Sequence, residues 1–160
     1  MKKFAIFAAS MLGCAMMSAQ PAPGSFEKTW TRGPEWLRDG VIYQVYPSSY
    51  KDSDGNGIGD IRGVISELDY IESLGVRAIW FNPLFVSGWI DGGYDVIDFY
   101  RVDPRFGTNN DMVELIEKAH AKGIKVMLDL VAGHTSDKHP WFIQSSQDTN
   151  LQYSDYYIWS

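Results

Sequence analysis

Three short runs of β-branched and aromatic residues, separated by two segments of helical periodicity, constrain this chain more than any other feature. The first run, Val41-Ile42-Tyr43-Gln44-Val45-Tyr46, is stopped by Pro47 and predicts a strand. Ile61, Val64, Ile65, Leu68 and Ile71 then recur at helical spacing until Gly75 ends the pattern. Val76 to Phe81 predicts a second strand, stopped by Asn82-Pro83, and a long loop runs on to about Gly107. Thr108, with Asp111 after it, caps a helix whose apolar face is Met112, Leu115, Ile116 and Ala119. Gly123 closes that helix, and Ile124 to Leu130 predicts a third strand. Short strands alternating with helices give a β-α-β-α-β series on a parallel sheet, so the fold class is α/β.

The series then stops: the residues after Leu130 show no clear helix–strand unit. A closed eight-stranded barrel takes roughly 250 residues, more than the 160 present. The expectation is therefore the front of a larger protein, with a small three-stranded domain as the other reading. The aromatic run Tyr156-Tyr157-Ile158-Trp159 points the same way, because it has nothing after it to bury it.

The N-terminus has the layout of an export signal. Lys2 and Lys3 precede an apolar run from Phe4 to Met17, and the small residues Ser18 and Ala19 offer a cleavage site before Gln20. The expected division is residues 1–19 as signal peptide and 20–36 as linker and lead-in. A periplasmic or secreted product follows. The rival is a lipoprotein signal using Cys14, the only cysteine. With none left after cleavage, a disulfide framework and cysteine catalysis are both excluded from the mature chain. No later segment is apolar enough to span a bilayer. A formal net charge of −6 argues against nucleic acid as a partner, because phosphate binding needs a basic face. Six Trp and nine Tyr would serve a core, and would also serve a flat-faced ligand such as a sugar.

Three segments carry chemistry. In Asp52-Ser53-Asp54-Gly55-Asn56-Gly57-Ile58-Gly59-Asp60, the side-chain oxygens of Asp52, Asp54, Asn56 and Asp60 and the carbonyl of Ile58 follow a calcium-loop register. The register breaks where the bidentate Glu belongs, at Gly63, and a strand precedes the loop, which excludes a paired helix–loop–helix. The expected ligand is Ca²⁺ or Mg²⁺; the plain alternative is a solvated turn. In Asp129-Leu130-Val131-Ala132-Gly133-His134, an acid at the carboxyl end of the third strand is followed by a loop histidine. Parallel α/β folds bind ligands at that end, although a structural carboxylate and a satisfied loop His would read the same. In Asp91-Gly92-Gly93-Tyr94-Asp95, two glycines hold an aromatic face beside two carboxylates, as a sugar requires and as a polar turn also allows.

Taken in order, Tyr43-Gln44-Val45-Tyr46-Pro47, the Asp52–Asp60 loop, Gly93-Tyr94-Asp95, Asp103-Pro104-Arg105-Phe106-Gly107-Thr108 and Asp129–His134 form a far more specific pattern. From Leu37 onward the chain resembles the N-terminal third of the alpha-amylase superfamily, glycoside hydrolase family 13. Thr135 to Phe142 and Tyr156 to Trp159 look most like its oligo-1,6-glucosidase, alpha-glucosidase and trehalose-synthase branch.

The resemblance implies a (β/α)₈ barrel, of which residues 37–133 would be the N-terminal part. Domain B, inserted after the third strand, would begin within 134–160. It also implies a retaining α-glycosidase acting on α-glucans or malto- and isomalto-oligosaccharides. Tyr94 would stack on the sugar, Asp91 and His134 would hydrogen-bond its hydroxyls, and Asp95 and Asp129 would support the site. Asp52, Asp54, Asn56, Ile58 and Asp60 would hold a structural cation. Gly133 departs from the family, which places Asn before the histidine; a second calcium at domain B is therefore not expected. The catalytic carboxylates would lie beyond Ser160, leaving this chain itself inactive. The alternative is a non-catalytic carbohydrate- or partner-binding member of the superfamily.

Overall fold

The parallel sheet expected from the alternating pattern is present in the computed structural model, which describes residues 34–38, 40–147 and 152–159. Expectations for the signal peptide, its Cys14 alternative and most of the lead-in fall outside the described residues. Residues 34–38 group with the N-terminal segment and contain a single helical turn, α1 (Glu35–Arg38). The remainder forms the body of the fold.

Strands β1 (Ile42–Val45), β2 (Ala78–Phe81) and β5 (Lys125–Leu128) form one parallel three-stranded sheet in the order β1-β2-β5. In register, Val45 pairs with Phe81 and Phe81 with Leu128, so the carboxyl ends of all three strands finish level. Between the strands lie α2 (Pro47–Tyr50), α3 (Ile61–Ser66), α4 (Leu68–Ser73) and α5 (Asn109–Ala121). Val45, Ile79, Phe81 and Ile124 pack against Ile61, Val64, Leu68, Ile71, Met112 and Leu115 in one buried core. Each such side chain contributes about 1.5–3 kcal/mol on burial.

Local chemistry sets the boundaries. Thr108 accepts from the Asp111 amide at 3.2 Å while Asp111 accepts from the Thr108 amide at 2.8 Å, a complete capping box. Arg62 of α3 then pairs with Asp111 and Glu114 of α5 at 2.6 and 2.7 Å, tying the two helices.

Four features differ from the sequence reading. The periodic segment 61–73 is two helices, because the backbone at Glu67 leaves the helical region and its amide turns back to Val64 and Ile65. The apolar face runs unbroken across that bend, so periodicity could not mark it. A one-turn helix, α2, stands between β1 and the acidic loop. The stretch between Pro83 and Gly107 is not one loop: β3 (Phe85–Ser87) and β4 (Val96–Val102) form an antiparallel hairpin with irregular register. After β5, α6 (Pro140–Gln147) is helical although only Ser145 among its residues is buried, so it has no apolar stripe to read. No described helix is long and apolar enough to cross a membrane.

Candidate functional site

The level carboxyl ends of β1, β2 and β5 bring three polar groups together. Gln44, in β1, donates from Nε2 to Asn82 Oδ1 at 3.0 Å. Asn82, just beyond β2, donates from Nδ2 to the Tyr94 hydroxyl at 3.0 Å. Tyr94 donates in turn to Asp129 Oδ2, just beyond β5, at 2.8 Å. Asn82 and Asp129 are placed by the ladder itself: their amides donate to Val45 and Phe81 carbonyls, both at 3.1 Å. The hydrogen bond to Asp129, reinforced by burial, raises the Tyr94 phenol above its ordinary value.

The β3–β4 hairpin delivers Tyr94. Its connection turns at Gly92 and Gly93, with φ of 74° and 108°, values that suit glycine. Gly93 is also closely approached, since a Cβ there would stand 3.3 Å from the Pro83 carbonyl oxygen. Asp91 accepts from the Asp95 amide at 2.7 Å with one oxygen. Its other oxygen lies 4.0 Å from His134 Nε2, with both side chains about half exposed. That pair faces solvent and is free to take a polar ligand.

Asp95 is buried and accepts from the Ile90 amide at 3.2 Å. Its second oxygen lies against Gly88, where a Cβ would come within 2.4 Å, and has no partner among the described residues. Burial pushes the Asp95 carboxyl up, but backbone amides, that of Ile90 first, outweigh it and hold the group below the usual carboxylate value.

The acidic loop 52–60 brings the oxygens of Asp52, Asp54 and Asp60 within 4.8 Å of one another. Asp52 accepts from the amides of Gly55 and Gly57 at 2.8 and 2.7 Å, and the Gly57 bond leads in holding its carboxyl below the ordinary value. Asp60 receives the Ser53 amide at 2.8 Å and caps α3 through Gly63 at 2.7 Å. The Asn56 amide group donates to Asp54 at 3.1 Å. Three hard carboxylates on one short loop fit an oxygen-seeking divalent cation. Gly63 cannot be the missing Glu of a full calcium loop, because a Cβ there would meet the Lys51 carbonyl at 2.0 Å.

Sequence reasoning missed Gln44 and Asn82. Each is a lone polar residue in or beside an apolar strand, and that was the available signal.

The model of the family described as "Alpha amylase, catalytic domain" matches residues 44–160, which covers most of the chain and every group just described. The chain belongs to the alpha-amylase family. The oligo-1,6-glucosidase of Heyndrickxia coagulans is 47% identical over 125 residues, covering 78% of this chain and 22% of that protein. The trehalose-6-phosphate hydrolase of Escherichia coli is 46% identical over 129 residues, covering 81% and 23%. Among solved structures, Bacillus licheniformis trehalose-6-phosphate hydrolase matches with TM-score 0.77 and 47% identity, covering 79% of this chain and 23% of that one. Isomaltulose synthase from Klebsiella matches with TM-score 0.77 and 46% identity, covering 80% and 23%. The chain thus spans under a quarter of the length of these relatives. Its parallel β1-β2-β5 sheet is part of the alpha-amylase family's (β/α)₈ barrel, as expected.

Proposed function

We propose that this chain is the N-terminal part of an exported retaining α-glycosidase acting on α-glucans or malto- and isomalto-oligosaccharides. Residues 1–19 would be its signal peptide, 20–36 its lead-in, 37–133 the first part of the barrel and 134–160 the start of domain B. The mature enzyme would be periplasmic or secreted. The observation that carries the reading is the chain Gln44–Asn82–Tyr94–Asp129 across the strand ends, beside the open pair Asp91 and His134.

In this reading Tyr94 offers its ring to a glucosyl unit while Asp129 and Asn82 fix its hydroxyl. Asp91 accepts hydrogens from sugar hydroxyls, and His134 hydrogen-bonds a neighbouring one. Asp95 holds the loop from within. Retention requires two carboxyls flanking the bond, about 5–5.5 Å apart; Asp129 is committed to Tyr94 and serves as neither. Nucleophile and acid/base would come from later strands, so the 160-residue chain alone would be inactive. Asp52, Asp54, Asn56, Asp60 and the Ile58 carbonyl would hold Ca²⁺ or Mg²⁺, which would screen their mutual repulsion and brace the loop after β1.

The test is the complete protein carrying this segment, assayed on an aryl α-glucoside with the product anomer read by NMR. Hydrolysis with retained configuration is expected. Oligosaccharide binding without hydrolysis would establish a non-catalytic member instead.

A further inference from the structure

Trp89 is the one described residue other than glycine with positive φ, at 59°. Bulky L-residues rarely adopt that backbone region, and they keep it only where surrounding contacts over-determine it. Trp89 has three such contacts. Its indole N–H donates to Asp103 Oδ2 at 3.1 Å. The Arg105 guanidinium carbon stands 4.4 Å from its ring centroid. Phe106 meets the ring edge-on at 5.4 Å between centroids. Asp103 is buried and also accepts from the amides of Ser87 and Arg105, at 3.3 and 3.0 Å. The ring's far edge reaches the loop: a Cβ on Gly93 would stand 3.8 Å from Trp89 Cη2.

The geometry points to Trp89 as a positioning residue for the sugar site. Its indole, gripped by the Asp103–Phe106 turn, is the platform that sets Gly93 and hence presents Tyr94 to Asp129. This assignment rests on the sugar-site reading above. It makes the 103–106 turn, none of whose described hydrogen-bond partners is Asp91, Tyr94, Asp129 or His134, a determinant of where Tyr94 stands.

The experiment uses the complete protein with Trp89→Gly and Trp89→Phe. Glycine suits the backbone conformation but lacks the ring, so it separates the indole from the strain. With the ring gone, amide exchange at residues 90–95 should accelerate about tenfold while β2 and α5 stay unchanged. The kcat/KM for an aryl α-glucoside should fall about tenfold, chiefly through KM. Trp89→Phe keeps an aromatic face for Arg105 and Phe106 but loses the bond to Asp103 and the far ring edge at Gly93, so it should recover only part of both and leave about a fivefold rise in exchange. Wild-type exchange at 90–95 in Trp89→Gly would overturn the clamp. So would faster exchange with unchanged kcat/KM. If Trp89→Gly unfolds globally, Trp89→Phe decides: no rise confined to 90–95 overturns the assignment. A wild-type protein inert toward α-glucosides would sink the sugar-site reading alone, because the exchange comparison still tests the clamp.

Discussion

Two loops rich in Asp and Gly, residues 52–60 and 89–95, do opposite things with their carboxylates. In the first, Asp52, Asp54 and Asp60 all turn onto nearby donors: the amides of Gly55, Gly57 and Asn56, the Ser53 group, and Gly63 in the helix that follows at once. In the second, Asp91 keeps one oxygen open toward His134, and Tyr94 reaches out of the loop to residues 12 and 35 positions away. Their glycines differ likewise. Gly55 and Gly57 have empty space around them and serve the backbone turn alone, whereas Gly93 must also clear the Pro83 carbonyl. The first loop is self-contained and suits a structural ion. The second is wired to the strand ends and suits a ligand that must be oriented. Carboxylate content alone does not separate these cases; the address of the hydrogen-bond donors does.

The sharpest way to break this comparison is at Tyr94 and His134 in the complete protein. Loss of the Tyr94 ring removes contact worth about 1 kcal/mol or more, and loss of His134 leaves a sugar hydroxyl unpaired. Tyr94→Ala and His134→Ala should each lower kcat/KM for an α-glucoside by about tenfold or more, with melting temperature near that of the parent. Stability loss with unchanged kinetics would make the second loop structural like the first. The converse test falls on Asp54. A chelator should lower the parent's melting temperature measurably, by no more than about 2–4 °C per kcal/mol of lost binding, because the complete protein is far larger than a small domain. Asp54→Ala should abolish that sensitivity while leaving kcat/KM per folded molecule near the parent's. Identical melting of the parent with and without chelator would leave loop 52–60 as only a turn.

A smaller effect separates the two histidines that follow β5. His134 is exposed, whereas His139 is buried against Phe99 and Trp141 and accepts from the Trp141 amide at 3.1 Å. Burial lowers the His139 pKa below 6.5, against the opposing pull of Asp98. As pH falls through 6.5 the unfolded chain takes up this proton before the folded one does. Stability should therefore decline from there down to the folded pKa and level off below it. Denaturant titrations across that range check it, and His139→Asn should flatten the slope.

Much of the frame was legible from the residues. The three parallel strands and α5 announce themselves through β-branched runs and a capping box, because both signals are local. The β3–β4 hairpin was not, since its irregular register spoils alternation and its Asp91-Gly92-Gly93 turn signal sits inside a long connection instead of directly joining two alternating runs. In the candidate site, Asp91, Tyr94, Asp129 and His134 stood out as a motif. Gln44 and Asn82 did not, because their meaning comes from a register that joins residues 38 positions apart.

The shared use of Asp111 has a consequence for the order in which the barrel segment assembles. The Thr108–Asp111 box closes over three positions, whereas the Arg62 pair spans 49. Chain-closure entropy favours the shorter contact by about 2.5 kcal/mol. The first turn of α5 can therefore form on its own, leaving Asp111 already oriented when α3 arrives. One carboxylate thus serves both a local contact and a long-range one, and φ-value analysis should find Thr108 engaged earlier in folding than Arg62.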